Sequence, residues 1–189
     1  MTEPEMDFYV EVIDYEDAWR KVKSAALNTI GKSIGKYPTA EWKRKILRAE
    51  HSPIRLLEFT VRLVDIPYWV SVHLTRHKIG VEHFVSTQRT DRTGVDRSGL
   101  PQGALVSHTM RINAQALINI SRKRLCTQAS PETRMVWRAV LDAILEHEPE
   151  LAEVCVRECV YRGFCPEMKT CGYCNSVEYK AERERLISD

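Results

Sequence analysis

Apolar residues recur along this chain with two periods, and the switches between them outline its elements. Leu57, Phe59, Val61 and Leu63 alternate with Glu58, Thr60 and Arg62, the period of two of a half-buried strand over residues 56–63. A shorter strand is predicted over residues 7–13, with Phe8, Val10 and Val12 on one face. Residues 81–88 and the run ALVSHTMRI supply two more. Helical spacing takes over between them. Trp19, Val22, Ala26 and Ile30 share a face in a helix opened by residues 14–17 and stopped at Gly31. Thr39 caps a second helix over residues 40–49, with Trp42, Ile46 and Leu47 inward. Asp65 and Pro67 start a third, through PYWVSVHLTRH. Asn113 stands as the cap of AQALINISRKRL. Ser130-Pro131-Glu132 opens a long helix with Val136, Trp137, Val140, Leu141, Ile144 and Leu145 inward, closed by Pro149.

Strands alternating with helices, hairpin-like returns and no Gly-rich dinucleotide turn predict an α+β fold, a mixed or antiparallel sheet flanked by helices. The organisation expected is one domain over residues 1–150 and a Cys-rich appendage over 151–189, its charged end after Val177 peripheral. With 189 residues and 43% hydrophobic content, the chain can bury a core without covalent staples. A net charge of +2 argues against nucleic acid or a membrane surface as the default partner. No apolar run approaches the ~18 residues of a membrane span. The acidic start, MTEPEMDF, lacks the layout of a signal peptide, so a cytoplasmic, reducing setting is expected.

Charge changes the picture locally. From Arg76 to Arg92, RHKIGVEHFVSTQRTDR sets Arg76, Lys78, Arg89 and Arg92 with His77 and His83 around a short apolar kernel. A buried core does not tolerate such cations unpaired. Planar guanidinium and imidazole donors beside Ser86 and Thr87 suit phosphate and the edge of a heteroaromatic ring. A solvated charged turn is the plainer alternative. Helical spacing puts His73, Arg76 and His77 on one face.

These residues resemble the flavin-dependent thymidylate synthases, whose signature is RHRxxxxxxxSxR on a helix-to-strand turn. The matching run is Arg76-His77-Lys78, seven residues, then Ser86-Thr87-Gln88-Arg89. His51-Ser52-Pro53 upstream, Asn113-Ala114-Gln115 with Asn119 and Arg124 downstream, and Gln128-Ala129 with Glu132 also follow the family's order, so the likeness spans residues ~7–147. The resemblance implies FAD-dependent methylation of C5 of a uracil deoxynucleotide, dUMP to dTMP, with methylenetetrahydrofolate as carbon donor and NADPH as reductant. It also implies a homotetramer with active sites shared between subunits, leaving Tyr68, Trp69 or Trp137 for subunit contacts.

Residue by residue, the resemblance assigns Arg124 and Ser86 to the pyrimidine, Arg124 as the fixed cation at its carbonyl edge. Arg76, His77 and Lys78, with His51, Asn113 and Asn119, fall to the flavin. His73, Gln88 and Arg89 face the nucleotide. Departures cluster in the site. Lys78 replaces an arginine and loses its bidentate fork. Gln88 stands where the last motif arginine belongs, and Arg89 comes one place late, which on a strand turns it to the other face. His83, Phe84 and Gln115 also differ, and the segment before Asn113 is short, leaving Arg92, Arg97 or Arg111 as stand-ins. The departures motivate a variant chemistry at C5, such as hydroxymethylation. A non-catalytic nucleic-acid or protein-binding module is the reading from another class.

Cysteine usage adds one more expectation. Cys155, Cys159, Cys165, Cys171 and Cys174 fall within CVRECVYRGFCPEMKTCGYC. Cys171-x-x-Cys174 with Cys159 and Cys165 fits structural zinc, against packed free thiols or an iron–sulfur role. Cys126 stands apart in the Arg124 turn, where packing is its expected fate. His108 and His147 are read as surface or satisfied core groups.

Overall fold

The computed structural model describes residues 5–187. Part of the N-terminal stretch read for a leader lies outside them. Four strands, β1 (Tyr9–Tyr15), β2 (Glu58–Pro67), β3 (Val81–Val85) and β4 (Leu105–Asn113), form one sheet in the order β1-β2-β4-β3. All three pairings are antiparallel. The helices are α1 (Trp19–Asn28), α2 (Ala40–Arg48), α3 (Tyr68–Thr75), the single turn α4 (Thr90–Thr93), α5 (Ala114–Arg124), α6 (Pro131–Leu145), α7 (Glu158–Arg162) and α8 (Val177–Ile187). The α+β expectation holds, with the sheet wholly antiparallel among the described residues.

Alternation in the strands decides which face is covered. Phe59, Val61 and Leu63 of β2 and Val106, His108, Met110 and Ile112 of β4 are buried, beneath α3, α5 and α6. The other face carries charge in register. Arg62 pairs with Glu11 at 3.3 Å, and Arg111 with Glu58. Arg111 is thereby committed to the sheet rather than to the turn at Arg76.

Caps formed where the sequence placed them. Thr39 accepts from the Trp42 amide at 3.2 Å, Asn113 from Ala116 at 2.9 Å and Ser130 from Thr133 at 3.3 Å. Each satisfies an amide that the helix itself leaves open. Boundaries moved where pairing outweighed local signals. Asp14 and Tyr15, expected to open α1, pair with Thr60 and Phe59 past a register shift in β1. Asp65 and Pro67, expected to start α3, continue β2 instead. A shift after Leu63, with Asp65 at φ +59°, lets Ile66 pair with Val106 and Pro67 with Leu105. Pro67 then leads directly into α3.

Trp137 is fully buried, and its Nε1 donates to Ser121 Oγ at 3.0 Å. It is therefore unavailable for the subunit contacts expected of it, whereas Tyr68 is partly exposed. Pro149 does not end α6, which stops at Leu145; it opens a 3-10 turn, Pro149–Glu153. The end of the chain, expected to be peripheral, is the helix α8. Arg183 pins it by donating to the carbonyls of Val160 at 2.7 Å and Tyr161 at 2.9 Å. Val156, Cys159 and Val160 form a small second cluster there, against which Cys165, Tyr173 and Cys174 pack.

Candidate active site

Val70, Ser71 and Leu74 bury one side of α3, and its C-terminus delivers His73, Arg76 and His77 at the mouth of a turn. The turn ends at Gly80, at φ +74°. A Cβ there would stand 2.6 Å from the Asn113 side-chain nitrogen, so only glycine lets the chain pass. The Gly80 carbonyl accepts from the Asn113 amide at 3.0 Å. One asparagine thus closes the motif turn and caps α5.

Arg124, at the other end of α5, reaches back to the same place. Its Nε donates to His77 Nε2 at 2.9 Å and its Nη2 to the His73 carbonyl at 2.8 Å. His73 Nδ1 lies 2.9 Å from Thr133 Oγ1, which also pairs with Ser130. The C-termini of α3 and α5 and the N-terminus of α6 therefore meet around one guanidinium. Burial, then the Arg124 charge, then His83 push His77 down to about 4. Burial, Arg124 and Arg76 lower His73 as well. Both imidazoles are neutral near pH 7, and His77 accepts the Arg124 hydrogen bond. Arg124 is also lowered, by burial and by Arg76, yet a guanidinium keeps its charge. The arrangement is a fixed cation with neutral hydrogen-bonding rings, with Arg76 and Lys78 exposed beside it.

Behind the turn runs a chain of hydrogen bonds that local spacing does not display. His83 Nε2 lies 2.7 Å from the His77 carbonyl, His83 Nδ1 2.9 Å from His108 Nε2, and His108 Nδ1 3.1 Å from Ser71 Oγ. A carbonyl only accepts, so His83 Nε2 donates to that of His77, and in a neutral His108 one ring nitrogen donates along the line while the other accepts. Burial, then His83, push His108 down to about 4. His108, expected as a surface or a satisfied core group, is fully buried and hydrogen-bonded at both ring nitrogens. His83, read as a departure from the motif, holds the motif's backbone.

The remaining predicted residues spread along both sides of this centre. Ser86 extends the β3–β4 ladder, its amide donating to the Ser107 carbonyl at 2.9 Å and its Oγ accepting from the Ser107 amide at 3.1 Å. Its own O–H stays free to donate. Gln88 is half-buried, and Arg89 is exposed and pairs with Asp91 at 2.7 Å. Asn119 accepts from Arg122 and Gln115, each at 3.4 Å. His51 is exposed just after Glu50, a residue at φ +48°. Sequence reasoning missed Glu50. Its carboxylate takes Gln115 Nε2 at 2.6 Å and pairs with Arg122, which lies over the Tyr161 ring at 3.5 Å. A glutamate held at positive φ was visible only in the fold.

The four cysteines read as a zinc set reach one small cleft, and Cys126 lines it too. Among the described residues, no group of three or more His, Cys, Asp or Glu could hold a metal ion, so the zinc set expected at Cys159, Cys165, Cys171 and Cys174 is not supported. Burial and the neighbouring Cys174 push the Cys159 thiol up to about 12.

The fold is that of the flavin-dependent thymidylate synthases. A flavin-dependent thymidylate synthase, ThyX, from Helicobacter pylori, complexed with FAD and dUMP, superposes with a TM-score of 0.63 at 17% identity. That match covers 79% of this chain and 100% of the other. A second structure of that enzyme with FAD and dUMP gives 0.64 at 16% identity, covering 79% and 99%. The UMP/dUMP methylase PolB from Streptomyces cacaoi, bound with 5-Br dUMP, gives 0.62 at 16% identity, covering 84% and 96%. No family model matches the chain, and no curated protein does. No described helix is long and apolar enough to cross a membrane.

Proposed function

We propose that this chain is a flavin-dependent enzyme that methylates C5 of a uracil deoxynucleotide, dUMP to dTMP, with methylenetetrahydrofolate and NADPH. One observation carries the reading. The motif residues of the α3–β3 turn converge with Arg124 of α5 on a fold shared with enzymes bound to FAD and dUMP or to a brominated dUMP. FAD is an anionic, carbonyl-rich group, and the turn supplies guanidinium, ammonium and neutral imidazole donors suited to it. Arg76, His77 and Lys78 would hold it, with His51, Asn113 and Asn119. Bound reduced flavin supplies the hydride.

The chain's own part is positioning and charge. Arg124 sets a permanent cation where negative charge develops on the pyrimidine carbonyl edge, and its contacts to α3 fix its direction before substrate arrives. The neutral His77 ring leaves that charge undiluted. Ser86, with its O–H free to donate, and His73, Gln88 and Arg89 would contact the nucleotide. A homotetramer with shared sites would complete this open surface, and light scattering measures that state.

A visible spectrum of the purified protein divides the classes. A colourless preparation that also fails to take up added FAD overturns the enzyme reading. If flavin binds, anaerobic turnover with dUMP, methylenetetrahydrofolate and NADPH should yield dTMP. Nucleotide-dependent flavin oxidation without dTMP would instead mark another C5 modification such as hydroxymethylation, the chemistry that Lys78, Phe84 and Gln88 allow.

A further inference from the structure

Helix α2 ends on a residue that its backbone does not favour. Past Arg48 the chain turns with Glu50 at φ +48°, its amide donating to the Leu47 carbonyl at 3.1 Å and that of His51 to the Ile46 carbonyl at 3.4 Å. Glycine is the usual occupant of such a left-handed position, because it has no Cβ to crowd the backbone. A glutamate there costs backbone strain, which persists where the surroundings hold it for a use. Its carboxylate does not turn to solvent. It reaches α5, taking Gln115 Nε2 at 2.6 Å and pairing with Arg122.

We infer that Glu50 is a positioning residue, which through Gln115 and Arg122 turns the Asn119 amide so that its N–H groups face outward to bound flavin. This rests on the flavin-dependent reading of the site, in which Asn119 contacts the cofactor. The four side chains close a ring, for Gln115 Nε2 and Arg122 Nη1 each lie 3.4 Å from Asn119 Oδ1. Charge fixes which way each amide in the ring faces. A carboxylate only accepts, so Gln115 turns its nitrogen to Glu50. A guanidinium only donates, so Asn119 turns its oxygen to Arg122. Asn119 is exposed on α5, and its Nδ2 is thereby left as the outward donor. An amide free to rotate would present oxygen as readily as nitrogen, and only the nitrogen can serve a carbonyl or an unprotonated ring nitrogen of a flavin.

The ring is anchored from behind. The Arg122 and Glu50 side chains are only 13% and 20% exposed, and Arg122 lies over the Tyr161 ring of α7 at 3.5 Å. His51, also assigned to flavin, follows Glu50 directly and is exposed. One glutamate therefore sets two residues, His51 through the backbone turn and Asn119 through side chains.

Equilibrium titration of the full-length protein with FAD tests this. Glu50→Gln keeps the side-chain shape and the backbone strain but opens the ring. It should weaken FAD roughly three- to tenfold, the worth of one hydrogen bond. Glu50→Gly relieves the positive φ and should weaken FAD as well, which a strain effect would not do. In an Asn119→Ala background, Glu50→Gln should have no further effect on FAD, whereas a merely structural glutamate would cost the same in both. NMR relaxation of the Asn119 side-chain amide, read without flavin, should show it ordered in the unmutated protein and loosened by Glu50→Gln. Unchanged FAD affinity in both Glu50 variants overturns this inference alone. So do equal losses with and without the Asn119 side chain, or an amide whose mobility ignores Glu50. An unmutated protein that takes up no FAD overturns the flavin reading, and this inference with it.

Discussion

The proposed function gives Arg124 two purposes. Its hydrogen bonds to His77 and to the His73 carbonyl are those of a helix-end clamp, the plain alternative for a basic residue closing α5. The same bonds hold a half-buried cation beside the motif turn. Arg124→Ala should lower nucleotide affinity by roughly 10- to 100-fold, the range for a hydrogen bond to a charged group, while flavin is retained. Equilibrium binding of dUMP to the flavin-loaded protein measures this, and unchanged affinity would remove Arg124 from the site. The clamp has its own signature. Without the guanidinium, His77 should titrate above about 4, closer to the ordinary 6.5, because a neighbouring cation no longer opposes its protonation. An NMR titration of the ring reads that shift. Ser86 was legible as a motif serine, but its part in the β3–β4 ladder depends on Ser107, a partner that spacing does not name.

At the scale of elements, the α3–β3 turn and the start of α5 behave as one unit, because Asn113 serves both. Gly80→Ala meets two obstacles, a positive φ and the Asn113 side chain in the path of the new methyl. It should cost about 1–3 kcal/mol in urea unfolding. Asn113→Ala removes the α5 cap and should cost about 1 kcal/mol. The two losses should add to less than their sum, since each variant loosens the same contact. Full additivity in a double-mutant cycle would separate the turn from the helix. The caps at Thr39, Asn113 and Ser130 were readable because a cap acts within three residues. The boundaries at Asp14 and Asp65 were not. Each residue has a local helix-opening signal, and each is overruled by hydrogen bonds to a neighbouring strand.

For the whole molecule, His77 and His108 are two of the groups that contribute to the response to acid. Both are neutral in the fold, with values near 4 against an ordinary 6.5. Between those limits the unfolded chain binds more protons than the native one. Stability from these two rings is therefore complete above about 6.5, falls as pH drops from 6.5 toward 4, and falls no further below that. Urea midpoints across this window should decline with pH, and His108→Asn should flatten the decline. A midpoint indifferent to pH in this range would show that the rings are hydrated and free to charge.

The sequence by itself determined the α+β class, the covered and open faces of β2, three helix caps and the ordered motif from His51 to Arg124. All of these rest on periodicity or on residues near one another along the chain. Tertiary structure alone decided that Arg124 grips α3, that Ser71, His108 and His83 form one line of hydrogen bonds, and that Trp137 is core. It also decided that the turn opening RHKIGVEHFVSTQRTDR, which ends at Gly80, is anchored on Asn113, and that Cys126 lies among the C-terminal thiols. These facts depend on strand register and on helix ends meeting across the fold, and no local pattern carries the position of a partner dozens of residues away.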